Sequence, residues 1–122
     1  MLLLEKHNQI GVPVCCAEAV TKPGLAKIIT PQPHWIATEI DQALVVGPEE
    51  TTFEIKHPDA GYILERKIFD RDLARLAAEQ GAEVRVNAEA VDLLFGENGY
   101  DGVVVEEGGE REEYLAEVII AA

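Results

Sequence analysis

Basic residues are scarce in this chain. Ten Lys and Arg stand against 23 Asp and Glu, a formal net charge of −13. Nucleic-acid backbones and anionic membrane surfaces are held by clustered cations, so this balance excludes nucleic acid as a partner and disfavours electrostatic binding to lipid. Cysteine is scarcer still. Two residues, adjacent at Cys15 and Cys16, are no disulfide framework and point to the reducing cytoplasm. No apolar stretch approaches the ~20 residues of a membrane span, and no signal-peptide pattern is visible. The sequence G-x-G-x-x-G does not occur, so the loop that cradles a dinucleotide pyrophosphate is not within these 122 residues. There is also no Ser-His-Asp arrangement, no paired-carboxylate motif and no internal repeat. His7, His34 and His57 fall in three separate segments, and with the two thiols they match no recognised zinc spacing, so no metal site is expected.

What is present has the composition of an ordinary globular protein, 48% hydrophobic and 27% charged, and amounts to one domain's length of chain. The clearest stretch is residues 61–86, GYILERKIFDRDLARLAAEQGAEVRV. Residues 62–64 are an apolar β-prone run. Phe69, Leu73, Leu76 and Ala77 then recur at helical spacing and put one apolar stripe on a single face. Asp70 is expected as the N-cap with Asp72 in the first turn, and Gly81 stands where a left-handed C-terminal cap is wanted. Residues 82–86 restart as a strand, so the whole reads as a β-α-β segment.

Elsewhere, residues 2–4 form an apolar strand ending in Glu5. That is the pattern of a strand whose terminal carboxylate accepts hydrogen bonds from ribose hydroxyls, and equally of a solvated strand end. Both ends of the chain, residues 2–4 and 118–120, read as apolar strands of a parallel sheet, so an internal piece of a larger protein is expected. Residues 11–24 read as a loop, then a short helix or turn over 16–22 built from small residues, ended by Pro23-Gly24. Small residues there permit close approach to something flat. The vicinal thiols leave a strained disulfide, metal ligation and simple packing open. Residues 40–46 and 52–56 are extended around a turn at 47–50, and the strict alternation of 52–56 places this hairpin in a second, antiparallel sheet. Trp35, at its entrance, is expected to be buried. Residues 90–95, 102–107 and 113–120 read as three strands joined by turns at 96–99 and Gly108-Gly109.

Taken together, LLLEK, VCCAEAVTK, GYILERKIFDRDLA, AAEQGAEV and AEVIIAA resemble the geranylgeranyl reductase family, in particular its archaeal digeranylgeranylglycerophospholipid reductases. The resemblance runs nearly the whole length of the chain. It implies an α/β fold: an FAD/NAD(P)-binding, Rossmann-like domain of the p-hydroxybenzoate hydroxylase type, with an antiparallel excursion into a substrate domain. Residues 1–22 and 61–122 would be the two parts of the FAD-binding domain, and residues 23–60 the excursion.

The implied function is FAD-dependent reduction of isoprenoid double bonds in membrane-lipid precursors, with NAD(P)H or ferredoxin as electron donor. The location implied is cytoplasmic, with room for a peripheral membrane contact of the full-length protein. Glu5 matches the carboxylate on the adenosine ribose of FAD, and Ala90 the position whose backbone reads the adenine edge. Cys16, Ala17 and Ala19 match the turn around the flavin, and Arg66 an FAD-contacting arginine before the helix. Cys16 is the candidate catalytic residue, with a positioning role preferred because a thiol of ordinary pKa, about 8.5, is a slow proton donor near neutrality. The alternatives are a non-catalytic α/β piece, or another FAD-dependent oxidoreductase or monooxygenase of the same fold.

Overall fold

The computed structural model describes residues 1–97 and 99–121. Asn98 of the expected 96–99 turn, and Ala122, lie outside the described residues. The chain divides into two compact units, Met1–Val12 with Leu73–Ala122, and Pro13–Asp72. Its elements make an α/β protein with one parallel and two antiparallel sheets.

In the first unit, β1 (Leu2–Glu5) pairs in parallel with β5 (Glu83–Val86), Leu3 opposite Val84 and Glu5 opposite Val86. The expected N-terminal parallel strand is therefore present, although it is half-buried. An antiparallel meander follows: β6 (Ala88–Gly96), β7 (Gly99–Glu107) and β8 (Glu110–Leu115), turned between β7 and β8 by Gly108 and Gly109 at φ +62° and +87°. Ala88 and Val105 are its most buried side chains. The expected strand over 113–120 stops at Leu115 instead. The Ala116 N–H still reaches the Asp101 carbonyl of β7 at 2.9 Å, but among the described residues 117–121 belong to no strand, and Val118 and Ile120 stand 76% and 85% exposed. An apolar run becomes a strand only where a neighbour takes up its backbone groups.

In the second unit, β2 (Ala19–Val20) and β3 (Ile36–Val46) flank the 13-residue β4 (Thr52–Leu64). The hairpin is thus in a separate antiparallel sheet, but the dry face its alternation suggests is not formed: residues 52–56 are exposed on both faces, with Phe53 62% and Ile55 55% exposed. Residues 62–64, however, are the end of that same long strand and not a new one. Pro58 does not break it because the β3 ladder passes from the Gln42–Lys56 pair to the Ile40–Gly61 pair, leaving 57–60 in an irregularity where proline is tolerated. The strands on either side of the helix consequently lie in different sheets. The parallel partner of β5 is β1.

Pro23-Gly24, expected to end a helix, instead opens α1 (Lys22–Ala26), where the missing proline N–H costs nothing. Thr21 Oγ1 caps it by accepting the Gly24 N–H at 3.2 Å. Residues 16–18 upstream are loop. Leu25, Trp35 and Leu64 form the buried cluster of this unit, with Ile29, Ile68 and Phe69 packed against it. Trp35, 2% exposed, is the buried structural residue expected.

Helix α2 (Arg66–Glu79) starts three residues before Phe69, where its apolar stripe begins. The Ile68 and Phe69 N–H groups both turn back to the Glu65 carbonyl at 2.9 Å, which places the start at Arg66. Asp70 therefore lies inside the helix and caps nothing. Its carboxylate sits one turn beyond Arg66 and takes that guanidinium, the geometry favoured by i, i+4 spacing. Gly81 behaves as expected: φ is +91°, and the Ala82 N–H reaches back to the Ala77 carbonyl at 2.9 Å in a Schellman closure.

Candidate functional site

The candidate residues gather in two corners, one in each unit. In the first, β1 ends on Glu5, and the chain folds back so that His7 donates twice to the same oxygen. The backbone N–H lies 2.8 Å and the ring Nδ1 2.6 Å from Glu5 Oε1. The His7 carbonyl in turn accepts the Asn87 N–H at 2.9 Å, and Asn87 adopts a left-handed φ of 54° that asparagine tolerates. The backbone bond from His7 is the main reason the Glu5 carboxyl is held below its ordinary value; burial opposes this, and the His7 ring and the Lys6 charge add to it. Glu5 is thus an ionised acceptor at neutral pH. Ala90 is exposed on β6, opposite Val105, at the lip of a bulge between Ala90 and Asp92. Because β6 is an edge strand, one set of its backbone groups points away from the ladder.

The lowered Glu5 value fixes a sign. The unfolded chain takes up the proton first on acidification, so the stabilisation is complete above the ordinary carboxylate range and is lost as the pH falls through the lowered folded value. Paired thermal melts of the chain and its Glu5→Gln variant should therefore converge in acid. A melting difference that stays constant from neutrality down through the carboxylate range would contradict this.

In the second corner, Cys16 is exposed and its Sγ accepts the Glu18 N–H at 3.3 Å. Glu18 adopts φ +65°, uncommon for a residue with a side chain, and its carbonyl accepts the Leu64 N–H at 3.0 Å. That bond anchors the thiol loop to the end of β4, where Ala19 pairs with Ile63. Ala17 and Ala19 are both exposed. Two residues beyond Leu64, the Arg66 guanidinium binds Asp70 through Nε at 2.9 Å and Nη2 at 2.9 Å. Asp70 is the main cause of the raised Arg66 value, against a lowering by desolvation, and Cys16 is close enough to contribute. Cys16, Ala17, Ala19 and Arg66 thus share one unit, while Glu5 and Ala90 share the other.

Four supporting residues escaped the sequence reading. His7 at Glu5 and Asp70 at Arg66 had signals, a close neighbour and an i, i+4 acid-base pair. Glu18, in its left-handed turn, and Asp72, which accepts the Trp35 indole N–H at 2.8 Å, had none. Among the described residues no group of His, Cys, Asp and Glu could hold a metal ion, and no helix is long and apolar enough to cross a membrane.

By its fold, the chain is an α/β protein with mixed sheets, carrying an ionised carboxylate at the end of a parallel strand and a thiol loop beside an arginine-led helix. No protein-family model matches it. Along its whole length it is 40% identical to the digeranylgeranylglycerophospholipid reductase of Methanocella arvoryzae, covering 32% of that protein. It is likewise 43% identical to digeranylgeranylglycerophospholipid reductase 2 of Methanopyrus kandleri, covering 31% of it. Among solved structures, a geranylgeranyl bacteriochlorophyll reductase-like protein of Thermoplasma acidophilum superposes on 99% of the chain with a TM-score of 0.87 at 33% identity, over 32% of its own length. The resemblance read from the sequence is therefore borne out. The chain spans about a third of the length of the curated relatives it matches.

Proposed function

We propose that this chain supplies the cofactor-contacting part of an FAD-dependent oxidoreductase that reduces isoprenoid double bonds in membrane-lipid precursors. The likeness, along the whole of this chain, to about a third of reductases so named is the observation that carries the reading. In this reading the fold is of the p-hydroxybenzoate hydroxylase type, residues 1–22 and 61–122 belong to the FAD-binding domain, and residues 23–60 reach into the substrate domain. The antiparallel sheet of β3 and β4 is separate from the parallel pair β1 and β5, which supports that excursion, and it also takes in β2 and residues 61–64 at the root of the excursion. NAD(P)H or ferredoxin is the electron donor, and the location is cytoplasmic with peripheral contact to the membrane that holds the substrate.

Each corner, taken within its own unit, offers groups suited to a part of such a cofactor. Glu5 is ionised, and both bonds from His7 fall on Oε1, so Oε2 serves to accept a ribose hydroxyl. Ala90 offers backbone groups on an edge strand to the adenine. Ala17 and Ala19 have no bulk to obstruct a flat ring. Asp70 engages the Nε and Nη2 edge of Arg66, and a guanidinium has five donors, more than these two bonds use, to offer a ligand oxygen. Cys16 orients the ring. An isolated trisubstituted alkene is unactivated, and FAD, when bound in its reduced form, supplies the hydride that such a bond requires.

The test is a chimera in which this chain replaces the matching third of the Methanocella arvoryzae protein. It should purify with oxidised-flavin absorbance and add two hydrogens per double bond to a geranylgeranyl lipid. A folded but colourless chimera that stays colourless with added FAD would overturn the proposal. The adjacent thiols give a controlled comparison in the same protein. Cys16→Ser should shift the flavin spectrum and slow reduction, whereas Cys15→Ser should do neither. Equal effects at both positions would instead indicate a paired-thiol site, and a loss of stability without spectral change would indicate packing alone.

A further inference from the structure

The first turn of a helix has no intrahelical partners for its leading N–H groups, so a residue placed there takes its position from whatever else holds the turn. Arg66 is such a residue, and the holding group is Trp35. The Trp35 carbonyl accepts the Glu65 N–H at 2.8 Å. Its ring meets Phe69 edge-on, centroids 5.3 Å apart at 78°. Its indole Nε1–H donates to Asp72 Oδ2 at 2.8 Å, and His34 Nε2 lies 2.7 Å from the same oxygen.

Glu65, Phe69 and Asp72 are spaced four and then three residues apart, so they line one face of the helix, and a single buried residue touches all three. Arg66 and Asp70 follow Glu65 and Phe69 by one residue each, about 100° further round the axis. Trp35 therefore acts on the Arg66–Asp70 pair by fixing the rotation of the helix that presents it. The residue just before this turn, Leu64, is bonded to Glu18 of the thiol loop, so the loop and the helix start are referred to the same strand end.

We propose that Trp35 and Asp72 are positioning residues that set the orientation of Arg66 toward the Cys16 loop; the inference rests on the reading of Arg66 as a cofactor contact. Trp35→Phe keeps an aromatic ring, a smaller one, and the backbone carbonyl but removes the indole donor, Asp72→Leu removes the acceptor, and Asp72→Asn retains an acceptor oxygen.

The experiment is nitrogen-15 NMR of the 122-residue chain, following hydrogen exchange and line position of the Arg66 Nε–H and exchange of the Ile68 and Phe69 amides. Trp35→Phe and Asp72→Leu should move the Arg66 signal and speed these exchanges about tenfold, the scale of one lost hydrogen bond, while the β3 and β4 amides hold their rates. Asp72→Asn should return the Arg66 signal to near its original position. An Arg66 signal unmoved in both variants overturns the proposal. So does a uniform acceleration through β3 and β4, which would mean that Trp35 and Asp72 act only on overall stability. Failure of the cofactor reading shows separately, as a colourless chimera alongside an Arg66 signal that still responds.

Discussion

Replacing Trp35 by alanine should destabilise the Pro13–Asp72 unit by about 3–5 kcal/mol, the range for removing a large aromatic side chain from a core. The side chain is 2% exposed and, among the described residues, forms a buried cluster with Leu25 and Leu64, so its removal opens a cavity at the centre of this unit's core. Two directional contacts go with the volume. The edge-on packing against Phe69 is lost, and the Asp72 carboxylate loses its indole donor. Against a typical domain stability of about 5–15 kcal/mol, a loss of this size takes a large share of the whole. Urea unfolding followed by far-ultraviolet circular dichroism should show the transition midpoint fall, with Trp35→Phe falling much less because it keeps most of the volume. A Trp35→Ala midpoint within the error of the parent would contradict the assignment of this residue to the core.

In the chimera, Glu5→Gln should weaken FAD binding by about tenfold or more. The replacement keeps one acceptor oxygen and the same length, so the substitution isolates the charge. A hydrogen bond to an ionised acceptor is worth roughly 1.5–3 kcal/mol, and each ~1.4 kcal/mol is tenfold in affinity. The His7 backbone bond and ring contact at Oε1 keep the carboxylate ionised and aimed, so little binding energy is spent on ordering it. The amide that replaces it would also offer an N–H where a ribose hydroxyl needs an acceptor in one of its two orientations. Flavin release on dilution, read by fluorescence, measures the change. Retention as tight as in the unsubstituted chimera would remove Glu5 from the site.

Glu5, Cys16 and Arg66 could be nominated from the sequence because each lies in a run whose wording resembles a known family, LLLEK, VCCAEAV and RKIFD, whereas Ala90 lies in none of these runs. What supports them was legible only where the partner is near in sequence. Asp70 is four residues from Arg66, yet its position after a strand and before an apolar stripe made it read as a cap. The distinction turned on Glu65, whose carbonyl accepts two N–H groups and whose own N–H is taken by Trp35, far earlier in the chain. No local pattern records that bond. The apolar run at 118–120 gives the opposite case, strand composition without a strand partner among the described residues.

By itself the sequence determined the features whose energies are local. The helical stripe through Leu73 and Leu76, the left-handed closure at Gly81, the glycine turn at 108–109 and the alternation of 52–56 all follow from side-chain periodicity and backbone sterics within a few residues. Only the tertiary structure decided that 62–64 continue β4 into an antiparallel sheet, that β5 pairs with β1 in parallel, and that Trp35 grips the start of α2. Pairing, register and helix rotation depend on which distant groups satisfy a strand edge or an unpaired helix end. That choice is made by chain segments tens of residues apart.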